Sequence, residues 1–114
     1  MHTIEQFLKD IAEKWPDGKR GAIESDDALK LCMKAIVTYP TVAEFYVLKG
    51  CLIQLGAIDS DFSLEDAEAA FLRAVEIDPA CEEAYKELGH FYYAVSPNED
   101  LSRKYFGLAN HVAN

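Results

Sequence analysis

Residues 67–79 read Ala67-Glu-Ala-Ala-Phe71-Leu-Arg-Ala74-Val-Glu-Ile-Asp-Pro79. Ala67, Ala70 and Ala74 fall on neighbouring faces of one helix, with the large Phe71 beside them. Small side chains in that pattern let a second helix approach closely. Pro79 ends the segment, because it lacks an N–H and restricts the residue before it. Ser63 is a suitable N-cap, so the pattern predicts a helix from Leu64 to about Ile77.

The same pattern occurs a second time, offset by 39 positions. Asp27-Ala28 aligns with Asp66-Ala67, Cys32 with Phe71, Ala35 with Ala74, and Pro40 with Pro79. Beyond the prolines, Glu44 aligns with Glu83, Tyr46 with Tyr85, and Gly50 with Gly89. A period of this size signals stacked supersecondary units, each too small to bury its own apolar face.

Each unit reads as two helices. Thr3-Ile-Glu-Gln6 is a candidate capping box opening a helix to about Lys14, which Pro16-Asp17-Gly18 breaks. Ser25 is a candidate cap for a helix to about Val37. Thr41-Val-Ala-Glu44 is a second candidate box, for a helix to Leu55 that Gly56 stops in a left-handed conformation. A loop, 57–62, then leads to the helix of residues 64–77. Downstream, Cys81–Val95 and about Glu99–Val112 are predicted helices around a Ser96-Pro97-Asn98 turn. The expected fold is all-α, with six helices in three hairpins and no segment of strand-like alternation. Gly50 and Gly89 are expected where helices meet closely. Phe71, Tyr46 and Tyr85 are expected to fill the spaces between adjacent hairpins.

Tyr85-Lys-Glu-Leu88-Gly89-His-Phe-Tyr92, followed by Ser102, Phe106 and Ala109, resembles the tetratricopeptide repeat. Tyr46, Gly50, Ile53, Ala67, Phe71, Ala74 and Pro79 supply a second copy. Ala28, Cys32, Ala35 and Pro40 supply half of a first. The resemblance covers nearly the whole chain, although the first two repeats are longer than the family's usual 34 residues. It implies one domain over 1–114, with repeats of approximately 1–40, 41–79 and 80–114. The implied fold is three hairpins stacked in a short right-handed superhelix. The implied function is non-enzymatic: an adaptor or scaffold that holds a protein segment in a concave groove lined by the first helix of each hairpin. By register, that groove face comprises Glu44, Val47, Cys51 and Gln54, then Lys86, His90 and Tyr93, with Glu5, Lys9 and Ala12 from the first hairpin. The family's carboxylate-gripping asparagines have no counterpart here, because Asn98, Asn110 and Asn114 all lie outside that face. The chain ends without a further polar helix, so Tyr105, Leu108 and Val112 are expected to meet solvent or a second copy of the chain.

Charge sharpens the expected partner. The net charge is −9, and residues 57–100 hold 12 acids against only Arg73 and Lys86. Such a block repels nucleic acid and steers basic proteins inward. Asp59, Asp61, Glu65 and Asp66 form its leading acidic surface. A second function therefore stands beside the first: a small acidic inhibitor or chaperone, such as an immunity protein masking a basic, nuclease-type toxin.

No cofactor is expected. Glu87-Leu-Gly-His90 has the Glu-x-x-His spacing of di-iron bundles but lacks a second copy. The acid pairs Asp26-Asp27, Glu65-Asp66 and Glu82-Glu83 are read as occupants of positive helix N-termini rather than catalytic dyads. Cys32, Cys51 and Cys81 are too scattered for a zinc site and read as reduced apolar fillers. The N-terminus lacks a signal-peptide pattern and no apolar run could span a bilayer, so a cytoplasmic, membrane-free location is expected. Trp15, the only tryptophan, is read as a packing anchor beside the proline break.

Overall fold

The computed structural model describes residues 2–15, 22–56 and 62–114, with residues 22–26 as backbone alone. The expected break at Pro16-Asp17-Gly18 and the acids Asp59 and Asp61 lie outside the described residues. Six α-helices and no strand are found among the described residues: α1 (Ile4–Glu13), α2 (Ala22–Thr38), α3 (Ala43–Gln54), α4 (Leu64–Ile77), α5 (Glu82–His90) and α6 (Glu99–Ala113). Each helix packs on the next in sequence, and α3 also touches α5.

Local chemistry sets most helix ends. Thr3 Oγ1 accepts the Gln6 N–H at 3.1 Å, while the Gln6 side chain turns instead to Asp10, at 2.9 Å. Asp66 Oδ2 accepts from both the backbone N–H and the hydroxyl of Ser63, at 2.7 and 3.3 Å, which closes the start of α4. Asn98 Oδ1 accepts the Leu101 N–H at 3.1 Å and starts α6. Gly56 takes a φ of +81°, the left-handed stop expected of it.

Two helix starts differ from expectation. The α2 helix begins at Ala22, so Ser25 is its fourth residue rather than its N-cap, and the pair Asp26-Asp27 falls beyond its first turn. The α3 helix begins at Ala43 after an extended Val42, without a side-chain cap. Thr41 stands in the preceding turn, which is secured from further along the chain: the Tyr46 hydroxyl donates to the Pro40 carbonyl oxygen at 3.0 Å. The same arrangement recurs before α5, where the Tyr85 hydroxyl donates to the Pro79 carbonyl oxygen at 2.8 Å.

The core runs continuously through the helix pairs, with Phe45, Phe71, Leu29, Leu52 and Leu88 fully buried. Each such side chain stabilises the fold by about 1.5–3 kcal/mol. The glycines decide how closely the pairs approach. A Cβ at Gly50 would lie 2.5 Å from the Phe71 ring, and one at Gly89 would lie 2.8 Å from the Phe106 ring. Phe71, expected between adjacent pairs, therefore covers Gly50 inside its own pair, because the missing Cβ leaves room for the ring. Ser102 Oγ adds a buried hydrogen bond to the Gly89 carbonyl oxygen at 3.0 Å.

The helix expected from Cys81 to Val95 is also corrected. α5 stops at His90 and continues as a π-helical stretch over Phe91–Val95. Tertiary partners hold this wider turn: the Asn98 N–H bonds the Tyr92 carbonyl oxygen at 2.7 Å, and the Tyr92 hydroxyl bonds Glu68 of α4. Burial first, then that hydrogen bond, pushes the Tyr92 phenol above its ordinary range. Tyr105, expected on an open face, is half-buried, its ring stacked with both Tyr85 and Tyr92 at centroid distances of 6.4 and 5.7 Å. Leu108 and Val112 are half-buried as well.

Candidate functional site

The sequence places apolar side chains on α1 at Leu8, Ile11, Ala12 and, just beyond its end, Trp15, one face of a 3.6-residue period. Ile11 is buried, and Leu8 and Trp15 pack half-buried against the core. Their outer edges, with Leu48 and Glu44 of α3, line a hollow of about 300 Å³. A second hollow of about 650 Å³ adjoins it, reaching from Glu44, Val47 and Leu48 to the α4–α5 connection at Ile77, Asp78, Cys81 and Glu83. Glu44 and Leu48, one helical turn apart, belong to both hollows, so the two form one groove from α1 across α3 to α5.

The larger hollow is electronegative. Glu44 and Glu83 stand in the first turns of α3 and α5, where the positive helix end favours a carboxylate by about 0.3–1 kcal/mol. Asp78 is held by accepting the Ala80 N–H at 3.0 Å. All three lie within electrostatic reach of Cys81, which lines the same hollow. Its thiol is pushed above the ordinary range by burial first, eased by a backbone hydrogen bond at Ala84, and raised further by Glu83, Asp78 and Glu44.

The expected groove residues divide. Glu44 and Val47 line the groove, and Ala12 joins them from α1. Cys51 and Gln54 are half-buried and outside its lining; Cys51 instead faces Glu87 of α5. Lys86 is exposed and paired with Glu82 at 2.7 Å. His90 is exposed, edge-on to the Phe106 ring at 4.9 Å. Tyr93, 75% exposed, lies on the π-helical stretch and lines a separate hollow with Tyr92, Pro97, Asn98 and Arg103. Glu5 and Lys9 are exposed and line neither half of the groove. Of the acidic surface, Glu65 is exposed, while Asp66 is exposed but engaged in the α4 cap.

Sequence reasoning missed Leu8, Trp15, Leu48, Ile77, Cys81 and Glu83 as lining residues. Leu48 was within reach, being one turn from Glu44 on the same helix face. No family model, curated protein or solved structure matches this chain.

Among the described residues, no three His, Cys, Asp or Glu side chains stand close enough to hold a metal ion. No helix among them is long and apolar enough to cross a membrane. Cys32, Cys51 and Cys81 are all free thiols. The groove is an apolar trough with acids at one end.

Proposed function

We propose that this chain is a non-enzymatic protein-interaction module of tetratricopeptide type. In this reading, three helix pairs stack in series over residues 1–114 as a short right-handed superhelix, and a segment of a partner protein lies in the groove across α1, α3 and α5. Serial packing supports it, as do two recurring features: Tyr46 with Pro40 and Tyr85 with Pro79, one period apart, and a glycine covered by a Phe ring from the second helix of its pair, Gly50 by Phe71 and Gly89 by Phe106. The observation that carries the reading is the continuity of the two hollows through Glu44 and Leu48. The three free thiols suit a reducing, cytoplasmic setting.

Site-specific photo-crosslinking in the native cell tests this. A benzoylphenylalanine replacing Leu48 should give a discrete protein adduct. The same group replacing Val37, which is 82% exposed on α2, should give none. Adducts from position 37 and none from position 48 would refute a groove site.

The acidic block favours a second reading, an inhibitor or immunity-type protein that covers a basic partner with the face led by Glu65. Salt separates the two. Electrostatic masking weakens steeply as the Debye length shrinks, from about 10 Å at 0.1 M to about 3 Å at 1 M, whereas apolar groove binding persists.

A further inference from the structure

The two halves of the groove differ in chemistry, and the difference specifies an occupant. Resting on the groove as the binding site, we propose that it takes an extended peptide segment carrying an apolar side chain for the α1–α3 half and a lysine or arginine about three residues away for the α3–α5 half. The first half is walled by Leu8, Trp15 and Leu48 and holds only one charge, Glu44. The second contains Glu44, Asp78 and Glu83 and has no lysine or arginine in its lining. Glu44 and Glu83 make no ion pair among the described residues. A cation seated there meets two carboxylates free of direct ion pairs among the described residues, although Lys86 lies within electrostatic reach of Glu83, and complementary charge of this kind sets register and selects partners.

The spacing follows from geometry. Packed helices lie about 8–10 Å apart. An extended chain advances about 3.3 Å per residue, so side chains serving adjacent halves are about three residues apart. Direction follows from a further hollow between α1 and α2, lined by Lys14, Lys30 and Lys34 with a single acid, Asp27. A cation is disfavoured beside these lysines and favoured beside Glu83.

Trp15, the only tryptophan, makes the apolar half directly readable. Three blocked, tryptophan-free dodecapeptides carrying a fluorophore serve as probes: one with two leucines and, three positions on, two arginines; one with the leucines changed to serine; one with the arginines changed to glutamate. The leucine–arginine peptide should shift Trp15 emission and bind at least about tenfold more tightly than either control by anisotropy. Glu44→Lys, at an exposed position, should keep the helical circular-dichroism spectrum and remove that preference for arginine. Equal binding of the glutamate peptide overturns the cation pairing while leaving a groove site standing. Equal binding of the serine peptide without a Trp15 change overturns the apolar half. No binding of any peptide at roughly 1 mM overturns the proposal, and crosslinking from position 48 then decides separately whether the groove reading survives.

Discussion

The Tyr85 hydroxyl donates to the Pro79 carbonyl oxygen at 2.8 Å and ties the start of α5 back across the turn that follows α4. One period earlier, Tyr46 makes the same bond to Pro40 at 3.0 Å. A proline ends each preceding helix, and a tyrosine one turn into the next helix takes up its carbonyl group. A net hydrogen bond of this kind contributes about 0.5–1.5 kcal/mol. Tyr46→Phe and Tyr85→Phe should each lower the melting temperature by roughly 4 °C. The two bonds sit at separate junctions and share no partner, so the double variant should lose the sum of the two within about 0.5 kcal/mol. Chemical denaturation checks both statements.

The glycines give a sharper contrast. Gly89→Leu drives a side chain into the Phe106 ring, and Gly50→Leu does the same to Phe71; each should destabilise by about 1–3 kcal/mol or more. Gly107 sits in the same kind of helix, but a Cβ there meets nothing within 4 Å. Gly107→Ala should therefore stabilise by about 0.8–1.0 kcal/mol through helix propensity alone. Urea midpoints for the three variants would show whether packing or propensity decides at each position.

Alkaline stability should follow the thiols. Burial, opposed by Lys49, holds Cys32 up at about 12, and burial followed by Glu87 holds Cys51 up at about 12, against 9.0 for an unperturbed thiol. The folded state thus keeps these protons at pH values where the unfolded chain loses them. Their contribution to stability is complete below about pH 9 and is lost as the pH rises towards 12. The melting temperature should fall from pH 9 upward, and Cys51→Ala should make the fall shallower. At pH 8, Ellman's reagent should modify Cys32 and Cys51 slowly in the folded protein and quickly in denaturant; a fast Cys51 reaction in the folded state would contradict this account of the site.

The helix pairs were legible because their signals are local. Pro40, Pro79, Gly56, Ser63 and the small residues of 67–74 act within a few positions of the chain, and the 39-residue period repeats the prolines and the pair Ala28 and Ala35 as Ala67 and Ala74. The π-helical turn at Phe91–Val95 was not legible, because its partners lie elsewhere: Glu68 on α4 and the N–H of Asn98. That turn also explains why Tyr93 leaves the expected groove face. The groove itself was half legible. Glu44 and Val47 follow from the register of α3, but Ile77, Asp78, Cys81 and Glu83 enter through the way α4 hands over to α5, which no single helix period encodes. The α3 start escaped for a related reason, since Tyr46 supplies the fastening that Thr41 was expected to provide.

Chemical-shift mapping is the most direct test that the groove is the working surface. Isotope-labelled protein is titrated with the leucine–arginine peptide and its backbone amides are followed. The expected result is that Ala12, Trp15, Glu44, Leu48, Cys81 and Glu83 move together and saturably, while α6 and the start of α4 at Glu65–Glu68 stay still. Movement confined to Glu65–Glu68 or to α6, with the groove amides unchanged, would contradict it.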